Sequence, residues 1–201
     1  MATDLYLGYR NDDVNTPFGK FFNPEMAALP THVVEALQHG LQGGMALVAF
    51  DHAATVADAG YQQTENGYGV LDDGSYQVSV RTDMPGVTPA MWSWWFGWHG
   101  SDTRRYKLWH PRAHLSAAWK DGEDNDDAGR PRAQRYIGRL GGPYIAVRNA
   151  PGVASRAVRP IAARILGNAE TNARNLLVHC AQEMNHLAGF LPELYAAFGD
   201  E

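Results

Sequence analysis

The stretch 169–191 constrains this chain more than any other. Its apolar residues Leu176, Leu177, Cys180, Met184 and Leu187 recur at helical intervals. At 100° per residue they share one face of a single long helix. Leu191-Pro192 then interrupts the pattern, because proline has no amide hydrogen to give the preceding turn.

One edge of that helix is polar. His179, Glu183 and His186 stand at i, i+4 and i+7, a narrow stripe beside the apolar face rather than opposite it. An imidazole and a carboxylate one turn apart have Cβ atoms about 5–6 Å from each other, so they can grip one cation. Nitrogen and oxygen donors together suit zinc or a similar divalent ion. The plainer account is an exposed His–Glu pair worth about a few tenths of a kcal/mol. Spacing by itself favours the plainer account.

Upstream, 30–40 reads as a short helix with Val33, Val34 and Leu37 on one side and Gly40 as its stop. The apolar stretch 43–57 is readable as a second helix. Tyr76, Val78 and Val80 alternate with Gln77, Ser79 and Arg81, the period of a half-buried strand. Asp73-Gly74 is a tight-turn pair, so 68–80 is predicted to be a hairpin. Thr88-Pro89 offers a capping hydroxyl followed by a proline at the first helical position. Trp92, Trp95, Phe96 and His99 follow at helical spacing up to Gly100, and 104–109 reads as a strand. Helices and an antiparallel hairpin together predict an α+β protein, divided into a partly helical region 1–66 and a second domain 67–201.

Composition narrows the functions. The 201 residues are 45% hydrophobic and 19% charged, enough apolar content for a real core. A net charge of -5 argues against nucleic acid, which needs a basic face. One cysteine, Cys180, allows no internal disulfide and suits a reducing compartment. With no run of about 20 apolar residues and no leader pattern at 1–10, a cytoplasmic protein without a membrane partner is expected. The acidic run 121–127 lacks the spacing and closing glutamate of an EF-hand and reads as a solvated loop. From 128 to 169 there are eight arginines and no lysine or acidic residue, a basic segment facing that loop.

All six tryptophans lie between 92 and 119, among Phe96 and Tyr106 and the histidines His99, His110 and His114. Core packing is the simpler role for any one of them. Their density also suits a pocket for a flat apolar ligand. No G-x-S-x-G elbow, G-x-G-x-x-G or P-loop is present, and Cys180 falls on the apolar face, where a thiol is structural.

Two stretches of rare composition then stand out: 84–114, MPGVTPAMWSWWFGWHGSDTRRYKLWHPRAH, and 177–198, LVHCAQEMNHLAGFLPELYAAF. Together they resemble the diacetylphloroglucinol and phloretin hydrolase family. The resemblance implies a Bet v1-like helix-grip, a curved antiparallel sheet around the long C-terminal helix. An N-terminal helical region used for dimerisation would precede it, and the shortened 128–169 connection leaves that sheet incomplete. It implies a Zn(2+) site of two histidines and two glutamates, with His179 and Glu183 as the C-terminal pair. The first histidine falls on His114, with His110 second. Tyr106 takes the place of a substrate-contacting tyrosine. The family's second glutamate falls near Pro143, and no acidic residue occurs between Asp127 and Glu170. Three protein ligands and an open position still describe a catalytic zinc site.

The activity so implied is hydrolysis of a carbon–carbon bond, releasing an acyl group from an acylated phloroglucinol, a small aromatic polyketide. Tyr106 would hydrogen-bond the substrate, and His110 or His186 would carry a proton. The rival from another class is a binding protein of the same fold that holds an aromatic ligand without cutting it.

Overall fold

The computed structural model describes residues 9, 11–48, 52, 55, 58–72, 74, 76–114, 117, 146–150, 153–158, 161–163 and 169–200. The acidic run 121–127, the position Pro143, Trp119 and the turn residue Asp73 lie outside the described residues.

The chain is α+β. Helix α1 (Thr31–His39) leads into a two-residue strand β1 (Leu41–Gln42), then β2 (Gly67–Val70), β3 (Tyr76–Ser79) and β4 (Arg81–Met84). Helices α2 (Pro89–Trp98) and α3 (Thr103–Trp109) follow, then β5 (Ala146–Ala150), β6 (Val153–Val158) and β7 (Ile161–Ala163). The long helix α4 (Ala169–Ala188) and the short α5 (Leu191–Phe198) close the sequence of elements.

The hairpin forms where the alternation places it, with Tyr68 opposite Val78 and Val70 opposite Tyr76, but it is not half-buried, since Gln77 and Ser79 on the other face are covered as well. Gly74 in its turn has φ +78, a left-handed conformation that glycine adopts without a Cβ penalty. β7 extends the sheet on the far side of β3, and β1 pairs in parallel with β2. That parallel approach needs Gly69, because a Cβ there would stand 2.5 Å from the Gln42 carbonyl oxygen. A second sheet runs β4-β6-β5, antiparallel throughout. β3 and β4 are one continuous run of chain that passes at Val80 from the first sheet into the second.

α4 lies against β2, β3 and β4. Its Ala173, Leu177, Cys180 and Ala181 pack with Tyr68, Val78 and Val80 from the strands and with Val33 and Ala36 from α1. Its C-terminal half turns to a second, aromatic core, where Met184 and Leu187 join Trp92, Trp94, Trp95, Phe96, Trp98 and Trp109. Five of the six tryptophans are therefore core residues. Phe18 belongs to the same cluster, and Tyr9 donates its hydroxyl hydrogen to the Arg104 carbonyl at 2.7 Å. Among the described residues no helix is long and apolar enough to cross a membrane.

Several sequence expectations change. The stretch 104–109 is helix α3, not a strand; its start is fixed by the Asp102 carboxylate, which accepts from the Arg104 amide at 2.8 Å. In 43–57 the described residues form no α-helix: Gly44–Ala46 is a 3-10 turn, and His52 and Thr55 are in 3-10 conformation as well. On α1 the buried face is Val33 and Ala36, while Val34 is exposed. At Gly100 the chain tightens into a 3-10 turn, His99–Ser101, rather than stopping. The long helix ends at Ala188, short of the expected Leu191, in a turn closed by the Gly189 and Phe190 amides. Pro192 stands in the first turn of the next helix, where its missing amide hydrogen costs nothing.

Candidate metal centre

α4 brings His179 and Glu183 onto the flank that meets α3 and the turn beyond it. That turn folds back on itself. The His114 amide donates to the His110 carbonyl at 2.9 Å, and the Ala113 amide donates to the same oxygen at 3.0 Å. An i to i+4 bond of this kind sets His110 and His114 side by side, with ring centroids 5.6 Å apart. His114 reaches Glu183: its Nε2 is 3.5 Å from Glu183 Oε2, and His179 Nε2 is 3.4 Å from the same oxygen. One ligating atom from each of the three lies within 4.8 Å of the other two. Glu183 is 2% exposed and His114 4%, so both are committed to the interior.

The protonation of His114 follows from its other nitrogen. Nδ1 is 3.0 Å from the Tyr106 carbonyl oxygen, and a carbonyl can only accept, so Nδ1 carries the hydrogen. In the neutral ring Nε2 is then a lone pair, and it faces a carboxylate oxygen. Two electron pairs at 3.5 Å, both out of water, repel unless a proton or a metal cation lies between them. A tetrahedral zinc with bonds of about 2.0–2.1 Å sets neighbouring donors about 3.4 Å apart, and both measured nitrogen–oxygen separations match that edge. A backbone carbonyl that fixes the ligand's tautomer and orientation is the usual support for a metal-bound imidazole. The residues present fit a divalent cation.

The other candidate residues surround this group. Tyr106 stacks flat on His114, centroids 3.8 Å apart and planes at 4°. His110 lies parallel to His179 at 4.6 Å and 9° but is not one of the three donors that converge. Neither His110 nitrogen closes a hydrogen bond of ordinary geometry. Burial holds its pKa down to about 4, helped by His179 and His114, while Glu183 and the nearby Gln182 amide pull the other way. His186 is not in the converging group either. It lies farther along α4 with its ring 5.7 Å from Phe190, its Nε2 buried without a partner, and its pKa lowered by burial.

Sequence reasoning gave His99 no role, yet it stands directly behind the site. It is fully buried, its Nδ1 hydrogen goes to the Trp95 carbonyl at 2.7 Å, and its ring stacks over Tyr106 at 5.8 Å. Burial drives its pKa to about 3 against the opposing pull of that carbonyl. Its spacing from Trp95 on α2 was visible in the sequence. Its distance from His114 depends on how α2 meets α3, which no local pattern encodes.

Fold and site together define a class: an α+β protein whose long helix carries an imidazole–carboxylate pair, completed from an aromatic-rich helical segment into a cluster that fits a metal. The match to known proteins makes this specific. The family model described as "DAPG hydrolase PhiG domain" matches residues 47–143 and 141–196, well over half the chain, and the chain belongs to that family. A 2,4-diacetylphloroglucinol hydrolase of a Pseudomonas species is 35% identical over 107 residues, which is 51% of this chain and 35% of that protein. The protein of the same name from Pseudomonas protegens is likewise 35% identical, with 34% of its length covered. A phloretin hydrolase of Eubacterium ramulus is 33% identical over 114 residues, 55% of this chain and 41% of its own length. The matched stretch thus spans between about a third and two fifths of these relatives.

Proposed function

We propose that this chain is a metal-dependent hydrolase that cleaves the bond between a phloroglucinol-type ring and its acyl substituent, with zinc held by His114, His179 and Glu183 in a Bet v1-like helix-grip. The observation that carries the reading is the convergence of two imidazole nitrogens on one buried carboxylate oxygen, with the other His114 nitrogen taken by the Tyr106 carbonyl. Family membership and the names of the matched relatives supply the substrate class.

A divalent cation at this place supplies Lewis acidity, polarising a carbonyl and bringing the pKa of water down to near neutral. The protein's own residues do the rest. Overall, water adds across the ring–acyl bond: the acyl carbon gains oxygen and leaves as a carboxylic acid, and the ring carbon gains a proton. The pair of electrons left on the ring spreads onto its oxygens, and the hydroxyl of Tyr106, whose ring stacks on His114, is the group proposed to hydrogen-bond one of them. Burial keeps His110 and His186 in the neutral form from which a proton acceptor starts; of the two, His110 lies beside the converging donors and is the one proposed to pass a proton to the ring carbon. The aromatic side chains flanking the site exclude water from the separating charges. The same reading makes the protein a cytoplasmic homodimer joined through its N-terminal helical region, which size-exclusion chromatography tests.

The absence of any acidic residue between Asp127 and Glu170 favours one second reading, a binder of aromatic polyketides that does not cut them. Metal content of the wild-type protein against His179→Ala, measured beside acid release from 2,4-diacetylphloroglucinol, separates the two. Stoichiometric zinc lost in the variant, with free acid formed by wild type alone, is the result expected. Tryptophan quenching by the same compound with no acid formed assigns the binder.

A further inference from the structure

Three polar groups near the converging donors are buried without ordinary hydrogen bonds: both nitrogens of His110, Nε2 of His186 and Nε1 of Trp109. The indole hydrogen discriminates little, since Trp92, Trp94 and Trp95 share the same state. His186 packs on Phe190, and no contact ties its ring to the three donors. His110 is different. It is 5% exposed, it lies 4.6 Å from the ring of His179 and 5.6 Å from the ring of His114, and the Gln182 side chain near it leaves at least one ring nitrogen without a hydrogen-bond partner. A buried imidazole pays the desolvation cost of two polar atoms unless something bonds them.

Its position says what that partner is. His110 stays outside the set of atoms that lie within 4.8 Å of one another, so in this arrangement it does not share the cation. Stacked against one ligand ring and 5.6 Å from another, His110 is within reach of a molecule bound to the cation. The i to i+4 turn bond from His114 to His110 ties the two rings to one rigid piece of backbone. A cation ligand and a hydrogen-bonding ring are thereby set at fixed spacing.

We propose that His110 is a ligand-binding residue of the metal centre, hydrogen-bonding an oxygen of whatever bidentate oxygen compound occupies the cation's open positions. This rests on the metal site of the preceding section, and not on the identity of the bond that is cut. The side chain distinguishes ligands that offer a second oxygen at that spacing from those that offer one.

Cobalt-substituted protein tests it through its visible spectrum, with acetohydroxamate as the probe, a small chelator that presents two oxygens whatever the true substrate is. His110→Ala is expected to take up cobalt as the wild type does and to bind acetohydroxamate about tenfold more weakly, the loss of one hydrogen bond to an ionised group. His110→Gln, which keeps a neutral donor and acceptor, is expected to recover most of that affinity. Acetate, with its shorter bite, should show a smaller difference between wild type and His110→Ala. Equal hydroxamate affinity in wild type and His110→Ala overturns the proposal. Loss of cobalt in His110→Ala overturns it too, by making His110 a ligand, and so does a wild type that takes up no cobalt. Failure to release acid from 2,4-diacetylphloroglucinol overturns the hydrolase reading alone and leaves the hydroxamate comparison standing.

Discussion

At the scale of single residues, Glu183 decides the most. Its carboxylate is 2% exposed, and one of its oxygens has two imidazole nitrogens within 3.5 Å, His179 from the same helix and His114 from the turn after α3. Glu183→Gln keeps the volume and removes the charge, so zinc affinity should fall by at least about 100-fold in a chelator-competition titration; affinity equal to wild type would empty the metal reading of content. Tyr106→Phe is the complementary probe. The ring stack on His114 survives and only the hydroxyl goes, so zinc content should hold while turnover of diacetylphloroglucinol drops about 10- to 100-fold. Unchanged turnover removes Tyr106 from the chemistry. The pair His179 and Glu183 was legible in the sequence because helical periodicity is local. What joins it was not legible from spacing and came from the family resemblance alone, since His114 comes from a turn far upstream and its orientation is set by a backbone carbonyl, the Tyr106 oxygen, which carries no residue-type signal.

At the scale of elements, α3 shows why short helices escape pattern reading. Seven residues make about two turns, too few for a 3.6-residue period to separate from alternation, and Arg105-Tyr106-Lys107-Leu108 alternates like a strand. The real signal was Asp102, the same kind of cap as Thr88, whose hydroxyl accepts from the Met91 amide at 3.3 Å. Asp102 makes two kinds of contact: its carboxylate accepts from the Arg104 amide, and it pairs with the Arg104 guanidinium at 2.7 Å. Although partial burial opposes it, hydrogen bonding and charge from Arg104 hold its carboxyl below the usual range. The cap should dominate the exposed ion pair. Asp102→Ala is expected to cost about 1 kcal/mol by urea unfolding, and Arg104→Ala a few tenths at most, because surface pairs are worth about 0–1 kcal/mol. Equal losses would mean that the side-chain pair, not the backbone cap, fixes the start of the helix that carries Tyr106.

At the scale of the whole molecule, the long helix and the hairpin were legible from periodicity, and their packing was not. α4 has one apolar face, yet that face divides between the strands at Leu177 and Cys180 and the tryptophan core at Met184 and Leu187. The parallel pairing of β1 with β2 and the split of β3–β4 between two sheets are long-range choices that a short window cannot see. The folded whole has one collective property that its parts predict. Burial lowers the pKa of His99 to about 3, of His110 to about 4, and of His186 as well, whereas in the unfolded chain imidazoles titrate near about 6.5. Above that pH neither state carries these protons and stability is unaffected. As pH falls, the unfolded chain takes them up first, so stability is lost progressively from about 6.5 downward, at up to about 1.4 kcal/mol per pH unit for each proton the folded state refuses. Urea midpoints measured from pH 8 to pH 4, with chelator present so that cation release plays no part, should be flat and then fall. His99→Phe should lower the midpoint at pH 8, where the bond to the Trp95 carbonyl is lost, and should fall less steeply below pH 6. A variant whose curve runs parallel to the wild type at every pH would show that His99 takes up its proton in the folded state. The aromatic core around it could not then be as dry as its burial implies.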